Sequence, residues 1–125
     1  MAKTAERKIY SCTVDVTIGV IGGKWKSVIL YYLIRDHVIR FGELRRLLPR
    51  VTAQMLTAQL REMETDGVVN RKVYPQVPPK VEYSLTPFGK SLAPIIRAMA
   101  QWGESYAKDS GKKICLLYTS PSPRD

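Results

Sequence analysis

Apolar residues recur along this chain at two different periods, and the changes of period mark out its elements. Val14, Ile18 and Ile21 stand at helical steps over residues 13–21. The pair Gly22-Gly23 interrupts them. A stronger helix is predicted over 24–35, where Trp25, Val28, Ile29, Tyr32 and Leu33 share one face. Asp36-His37 ends it, and Val38-Ile39-Arg40 reads as a short strand. The next helix begins at Phe41-Gly42-Glu43-Leu44 and is stopped by Pro49-Arg50. Another starts at Thr52, a good N-cap, and closes at Asp66-Gly67, with Gly67 just past its end. The period then falls to two. Strands are predicted over 68–74 and 80–85, joined by Pro75-Gln76-Val77-Pro78-Pro79, a tip that resists further strand pairing. Val69, Arg71 and Val73 lie on one side of the first strand, and Asn70, Lys72 and Tyr74 on the other. Val81, Tyr83 and Leu85 form the apolar side of the return strand. Thr86-Pro87 opens a last helix, whose stripe is Leu92, Ile95, Ile96, Met99, Trp102 and Tyr106. Pro94 lies inside that stripe and is expected to kink the helix.

Helix, tight break, second helix and hairpin, in that order, is the plan of a winged helix-turn-helix. The fold class is therefore α+β, mostly helical, with a two-stranded wing and terminal dimerisation helices. The last stripe is longer than the core of one small domain can cover, so part of it is expected to meet a second subunit.

The helix that starts at Thr52 can be resolved by angle, since successive residues rotate by roughly 100°. Leu56, Leu60 and Met63 fall on one narrow face and belong to the core. Gln54, Ala58 and Arg61 fall opposite, with Thr57 beside them. Gln54 suits adenine, and Arg61 suits guanine or phosphate. Small Ala53 and Ala58 permit close approach to a groove, and Thr57 can touch a phosphate or a thymine methyl. The plain alternative is a solvated helix face. Arg45, Arg46 and Arg50 cluster around the preceding turn, and Lys72 and Lys80 lie on the hairpin. They suit phosphate contacts that position without specifying sequence, with Lys80 a candidate for the minor groove. Trp25 lies on an apolar stripe and is assigned to core rather than to base stacking, while Lys24 and Lys26 beside it are within reach of phosphate.

Charge strengthens this picture. The chain of 125 residues carries a net charge of +9, which favours a polyanionic partner. Its length suits one domain. Residues 1–11 read as a flexible basic arm, 12–110 as the winged domain with its dimerisation helix, and 111–125 as a tail. No apolar run approaches a membrane span and the first residues lack a signal-peptide core, so a cytoplasmic protein with no membrane partner is expected. The run 115–125, Cys115-Leu116-Leu117-Tyr118-Thr119-Ser120-Pro121-Ser122-Pro123-Arg124-Asp125, reads as the translation of a transposase-type sequencing adapter, and it is set aside from the fold.

The sequence presents no catalytic constellation, phosphate-binding glycine loop or metal-ligand spacing, so neither enzyme activity nor a cofactor or metal is expected. Glu62 and Glu64 read as ordinary surface carboxylates. Cys12 is the remaining candidate for chemistry. Arg7, Lys8 and a helix start nearby would each lower its pKa and favour the thiolate. The alternative is an inert, small, buried residue.

These residues resemble the HxlR family of bacterial transcriptional regulators, related to the MarR type. The resemblance spans 12–104. Its carriers are Cys12, Ile21-Gly22-Gly23-Lys24-Trp25, Phe41-Gly42-Glu43-Leu44-Arg45-Arg46, Leu56-Thr57, Leu60-Arg61 and Asp66-Gly67-Val68-Val69. The later ones are Tyr74-Pro75, Val77-Pro78-Pro79-Lys80-Val81-Glu82-Tyr83, Ser84-Leu85-Thr86-Pro87 and Trp102-Gly103. The resemblance implies a bacterial or archaeal homodimer on a pseudo-palindromic double-stranded operator. Recognition would come from 52–61 and the wing at Lys80. The terminal helices would form the interface, through Val14, Ile18, Leu92, Ile95, Ile96, Met99, Trp102 and Tyr106. In several members a cysteine at the position of Cys12 senses quinones, aldehydes or oxidants.

The resulting expectation is a dimeric DNA-binding repressor with thiol control through Cys12. With Cys115 set aside, sensing would use an intersubunit disulfide, a low-molecular-weight thiol or direct alkylation. Two alternatives stand beside it. One is control by a non-covalent small-molecule inducer in a pocket between the wing-bearing core and the dimer helices. The other is a protein–protein adaptor that kept the fold without DNA binding.

Overall fold

The start and stop signals in the sequence delimit the elements of the computed structural model, which describes residues 9–114. Arg7, Lys8 and the run from Cys115 onward lie outside the described residues. The order is α1 (Thr13–Ile21), α2 (Lys26–Asp36), β1 (Ile39–Arg40), α3 (Phe41–Leu47), α4 (Ala53–Thr65), β2 (Val69–Tyr74), β3 (Lys80–Leu85), α5 (Pro87–Lys90) and α6 (Ala93–Ser110). Among the described residues no helix is long and apolar enough to cross a membrane.

The hairpin is built as its alternation requires, with Val69 opposite Leu85 and Tyr74 opposite Lys80. β1 adds a third strand that the expected two-stranded wing lacked. Ile39 pairs with Tyr83 and Arg40 with Glu82, so β3 is central in the order β1-β3-β2. This pairing ties the start of α3 to the base of the wing. The short strand expected at Val38-Ile39-Arg40 is present, and only its partner went unread, since two residues do not specify a pairing.

The core forms where α2, α3 and α4 meet the base of the sheet. Leu56, Leu60 and Met63 are at most 1% exposed, as the angular reading of α4 requires. Ile29 and Leu33 join them, together with Leu44, Val68 and Val69. Leu30 is also fully buried, although it lies outside the stripe read for this helix. α2 is covered on two sides, by α4 and by α6, so its buried arc is wider than one stripe. Trp25 packs partly buried against the same core, as expected.

The end of α4 is closed by a paired carbonyl cap. Val68 N–H donates to Met63 O at 2.9 Å and Gly67 N–H to Glu64 O at 3.0 Å, with Gly67 at φ 80°. The Thr86 hydroxyl then clamps two element ends together. It donates to Gly67 O at 2.6 Å and accepts from Gly89 N–H at 2.9 Å.

The last helix corrects the sequence reading. Instead of one kinked helix there are two, α5 and α6, with Ser91 and Leu92 between them. Pro94 sits in the first turn of α6, where its missing N–H costs nothing, and its ring would clash with the carbonyl of Lys90 in a continuous helix. The break turns Leu92 and Ile96 inward. They are 8% and 3% exposed and belong to this chain's own core, not to the open stripe.

Candidate nucleic-acid interface

The turn between α3 and α4 is set by a buried plug. Val51 is 2% exposed, and its N–H donates to Leu48 O at 3.0 Å. Thr52 follows as N-cap, its hydroxyl accepting from Met55 N–H at 3.1 Å. The outer face of α4 is therefore presented from a fixed angle. Ala53, Gln54, Thr57, Ala58 and Arg61 together line one open hollow of about 370 Å³. These five are residues that the angular reading or small side-chain size had singled out. Thr52 lies at its edge as the cap.

Arg45, Arg46 and Arg50 are all exposed around the turn. The one carboxylate in this part of the chain is engaged locally, Glu43 accepting from Arg40 N–H at 2.9 Å. The positive potential of the turn is thus little offset.

An ion pair fixes α4 to the rest of the domain. Lys26 of α2, only 9% exposed, pairs with Glu62 of α4. This corrects two expectations. Lys26 does not stand free for phosphate, and Glu62 is a structural partner rather than an ordinary surface carboxylate. The pair crosses two elements far apart in sequence, so neither residue carried a local signal. Lys24 lies over the Trp25 ring at 5.3 Å.

On the wing, Lys72, Tyr74, Lys80 and Glu82 share one face. The Tyr74 hydroxyl donates to Glu82 Oε1 at 3.0 Å. The Lys80 ammonium lies 3.8 Å from Glu82 Oε2 and 4.3 Å from the centre of the Tyr74 ring, with Lys72 at 5.0 Å from that ring. Lys80 is half-buried and held along the hairpin, whereas Lys72 is exposed. Arg71 is a further exposed cation on β2 that alternation had placed on the apolar side. That side is buried at Val69, but at Val73 it is exposed, because the wing runs past the core.

Cys12 occupies the N-cap position of α1 and is exposed, which excludes the buried reading. The backbone N–H groups of Asp15 and Val14 lower its pKa, and the Ser11 hydroxyl adds to them. Near it on α1, Val14 and Ile18 are exposed. Ile95, Met99, Trp102 and Tyr106 are exposed along α6, Trp102 most of all at 69%. The rings of Trp102 and Tyr106 stack with centroids 5.2 Å apart.

Residues 20–111 match the family model described as HxlR-like helix-turn-helix. The chain is 59% identical over 103 residues to the uncharacterized HTH-type transcriptional regulator YdeP of Bacillus subtilis (strain 168), covering 82% of this chain and 79% of that one. Among solved structures it is similar to the redox regulator HypR. The reduced form aligns with a TM-score of 0.74 at 56% identity, covering 79% of this chain and 96% of the other. The oxidised form aligns with a TM-score of 0.72 at 58% identity, covering 75% and 96%.

Proposed function

The chain belongs to the HxlR-like helix-turn-helix family of transcriptional regulators, which are not enzymes, and from that premise we propose that it is a homodimeric repressor that binds double-stranded DNA and responds to thiol chemistry at Cys12. The observation that carries the DNA reading is the hollow on α4. Five side chains of small or hydrogen-bonding type are gathered on a face of α4 that no other described element covers. Inserted in a major groove, Gln54 reads an adenine edge and Arg61 a guanine edge or a phosphate, while Ala53 and Ala58 keep the backbone close. Arg45, Arg46, Arg50 and Lys72 neutralise phosphates on either side and fix the register. Lys80 contributes to the wing's potential from its place on Tyr74, and Thr52 orients the first turn.

The exposed apolar residues of α1 and α6 form the dimer that sets half-site spacing: Val14, Ile18, Ile95, Met99, Trp102 and Tyr106. Cys12 lies at the head of α1, beside that interface. Its exposure and lowered pKa suit attack by an oxidant or electrophile, and the similarity to a redox regulator supports the same assignment. Two Cys12 thiols, one from each subunit, would join as a disulfide. They would lose two protons and two electrons to an oxidant such as diamide, which is reduced to the hydrazine.

The test is binding of the purified protein to the intergenic DNA upstream of its own gene, measured by fluorescence anisotropy across a salt series. The expected affinity falls steeply with ionic strength. No binding at low salt overturns the DNA reading and leaves a protein–protein adaptor in its place. If diamide releases the wild type but also releases Cys12→Ser, thiol control is wrong.

A further inference from the structure

The pairing of β1 with β3 gives Arg40 a place among the cations of the wing. Arg40 stands opposite Glu82, and Glu82 stands opposite Lys72 on its other side. Directly paired residues present their side chains to the same face of a sheet, so the three form a row across it, about 10 Å from end to end. Lys80 and Tyr74 form the next row on that face. Glu82 is the one carboxylate that the three strands place there, and it is engaged. It accepts from the Tyr74 hydroxyl at 3.0 Å and lies 3.8 Å from the Lys80 ammonium. Arg40 and Lys72 are exposed, and neither enters an ion pair among the described residues. Solvated faces ordinarily mix the two signs, whereas this one carries an excess of positive charge.

The opposite face of the sheet belongs to the core. Ile39, Val69 and Tyr83 are buried there, in one cluster with Leu56, Leu60 and Met63 of α4. The row through Arg40 therefore looks away from the side on which α4 packs. Phosphates that meet it lie outside the segment that α4 reads. The Tyr74 ring has the ammonium groups of Lys80 and Lys72 over it, at 4.3 Å and 5.0 Å. It offers no open surface to an unstacked base. Recognition on this face is thus by charge, and the matching partner is duplex rather than single-stranded nucleic acid.

We propose that this outer face of the sheet is a second phosphate-binding surface, with Arg40 as its anchor, and that it takes the duplex DNA flanking the operator half-site. The inference rests on the proposed DNA reading and extends it. α4 reads the half-site, Lys72 holds the wing at its margin, and Arg40 engages the flank whatever its sequence. To reach Arg40 the flanking duplex bends toward the protein, and the added phosphate contacts offset the cost of the bend.

The experiment uses the full-length protein and the intergenic duplex upstream of its own gene, trimmed from both ends to the shortest fragment that binds. That fragment is then extended on each side by about ten base pairs of scrambled sequence, one helical turn. Affinity is read by fluorescence anisotropy across a salt series. For the wild type the extension is expected to raise affinity roughly tenfold at low salt and to steepen the salt dependence. Arg40→Ala is expected to bind the trimmed fragment as the wild type does and to lose most of the gain. Its salt slope on the extended fragment should be lower by about two, one phosphate for each subunit. Arg40→Lys is expected to restore the gain, since a phosphate contact needs the charge and not the guanidinium fork. The Arg40 backbone N–H, not its side chain, holds Glu43 at the start of α3, and equal melting temperatures check that both variants are folded. No gain on extension, a gain that survives Arg40→Ala, or an equal loss on both fragments would overturn the proposal. Binding of the trimmed fragment is read separately, so those results leave the α4 reading intact. A chain that bound neither fragment would take both readings down.

Discussion

Lys26 of α2 and Glu62 of α4 form an ion pair with unequal exposure, the lysine side chain at 11% and the glutamate at 58%. The nearly sealed ammonium depends on its partner, while the carboxylate keeps access to water. Removing Glu62 strands a buried charge, so Glu62→Gln is expected to cost about 1–3 kcal/mol. Lys26→Met removes the charge and keeps most of the apolar stem, so Lys26→Met/Glu62→Gln is expected to recover part of the loss. Urea unfolding of the wild type, the single variants and the pair measures the coupling. Equal stability of Glu62→Gln and wild type would show that the pair does not hold α4.

The α4 hollow and the arginine cluster divide specificity from attraction. Gln54→Ala is expected to relax preference at one base position by about 1–3 kcal/mol and leave the salt dependence unchanged. Arg45→Ala is expected to weaken every sequence alike and reduce the salt slope by about one. Anisotropy with a set of single-substituted operators separates the two. A uniform loss for Gln54→Ala would remove it from base reading.

Local chemistry made much of this legible in sequence. Thr52 and Gly67 announce both ends of α4 because capping depends on neighbours a few residues away. The buried face of α4 follows from its angular period alone. The features that escaped depend on contacts distant in sequence. Lys26 and Glu62 meet across two helices. The short strand at β1 was expected, but its pairing with β3 was not, because two residues do not specify a partner. Leu92 and Ile96 were grouped with the exposed stripe because a helical period shows which residues share a face and not what covers each one. Pro94 was visible, but its effect depended on whether the chain bent or broke, and the covering of Leu92 and Ile96 accompanies the break.

Cys12 reactivity has a sign that can be tested. Asp15 and Val14 N–H groups and the Ser11 hydroxyl lower the thiol pKa, so the thiolate persists to lower pH than in free cysteine. The pH profile of iodoacetamide alkylation at Cys12 is expected to rise earlier than for a free thiol, and Ser11→Ala is expected to shift it back upward. A group depressed on folding adds stability at pH above its unfolded pKa. That contribution is lost as pH falls through the folded pKa. A profile matching free cysteine would remove the chemical basis for thiol control.

The exposed stripe of α6 makes the last expectation. Trp102 and Tyr106 stack on each other on a surface that also carries Ile95 and Met99, and Val14 and Ile18 are exposed on α1. Two copies related by a twofold axis would bury this apolar surface, and Trp is the residue type most often dominant in such contacts. Trp102→Ala is expected to weaken the dimer by about 2 kcal/mol or more, and Met99→Glu to break it. Sedimentation velocity over a concentration series measures this directly. Leu92→Ala serves as the contrast. It should lower the unfolding midpoint, by about 2–5 kcal/mol of stability, because that side chain fills this chain's own core. Operator affinity should fall with the dimer for Trp102→Ala, since one half-site binds far more weakly than two. A monomeric wild type, or a Trp102→Ala dimer as tight as the wild type, would show that this face serves another purpose.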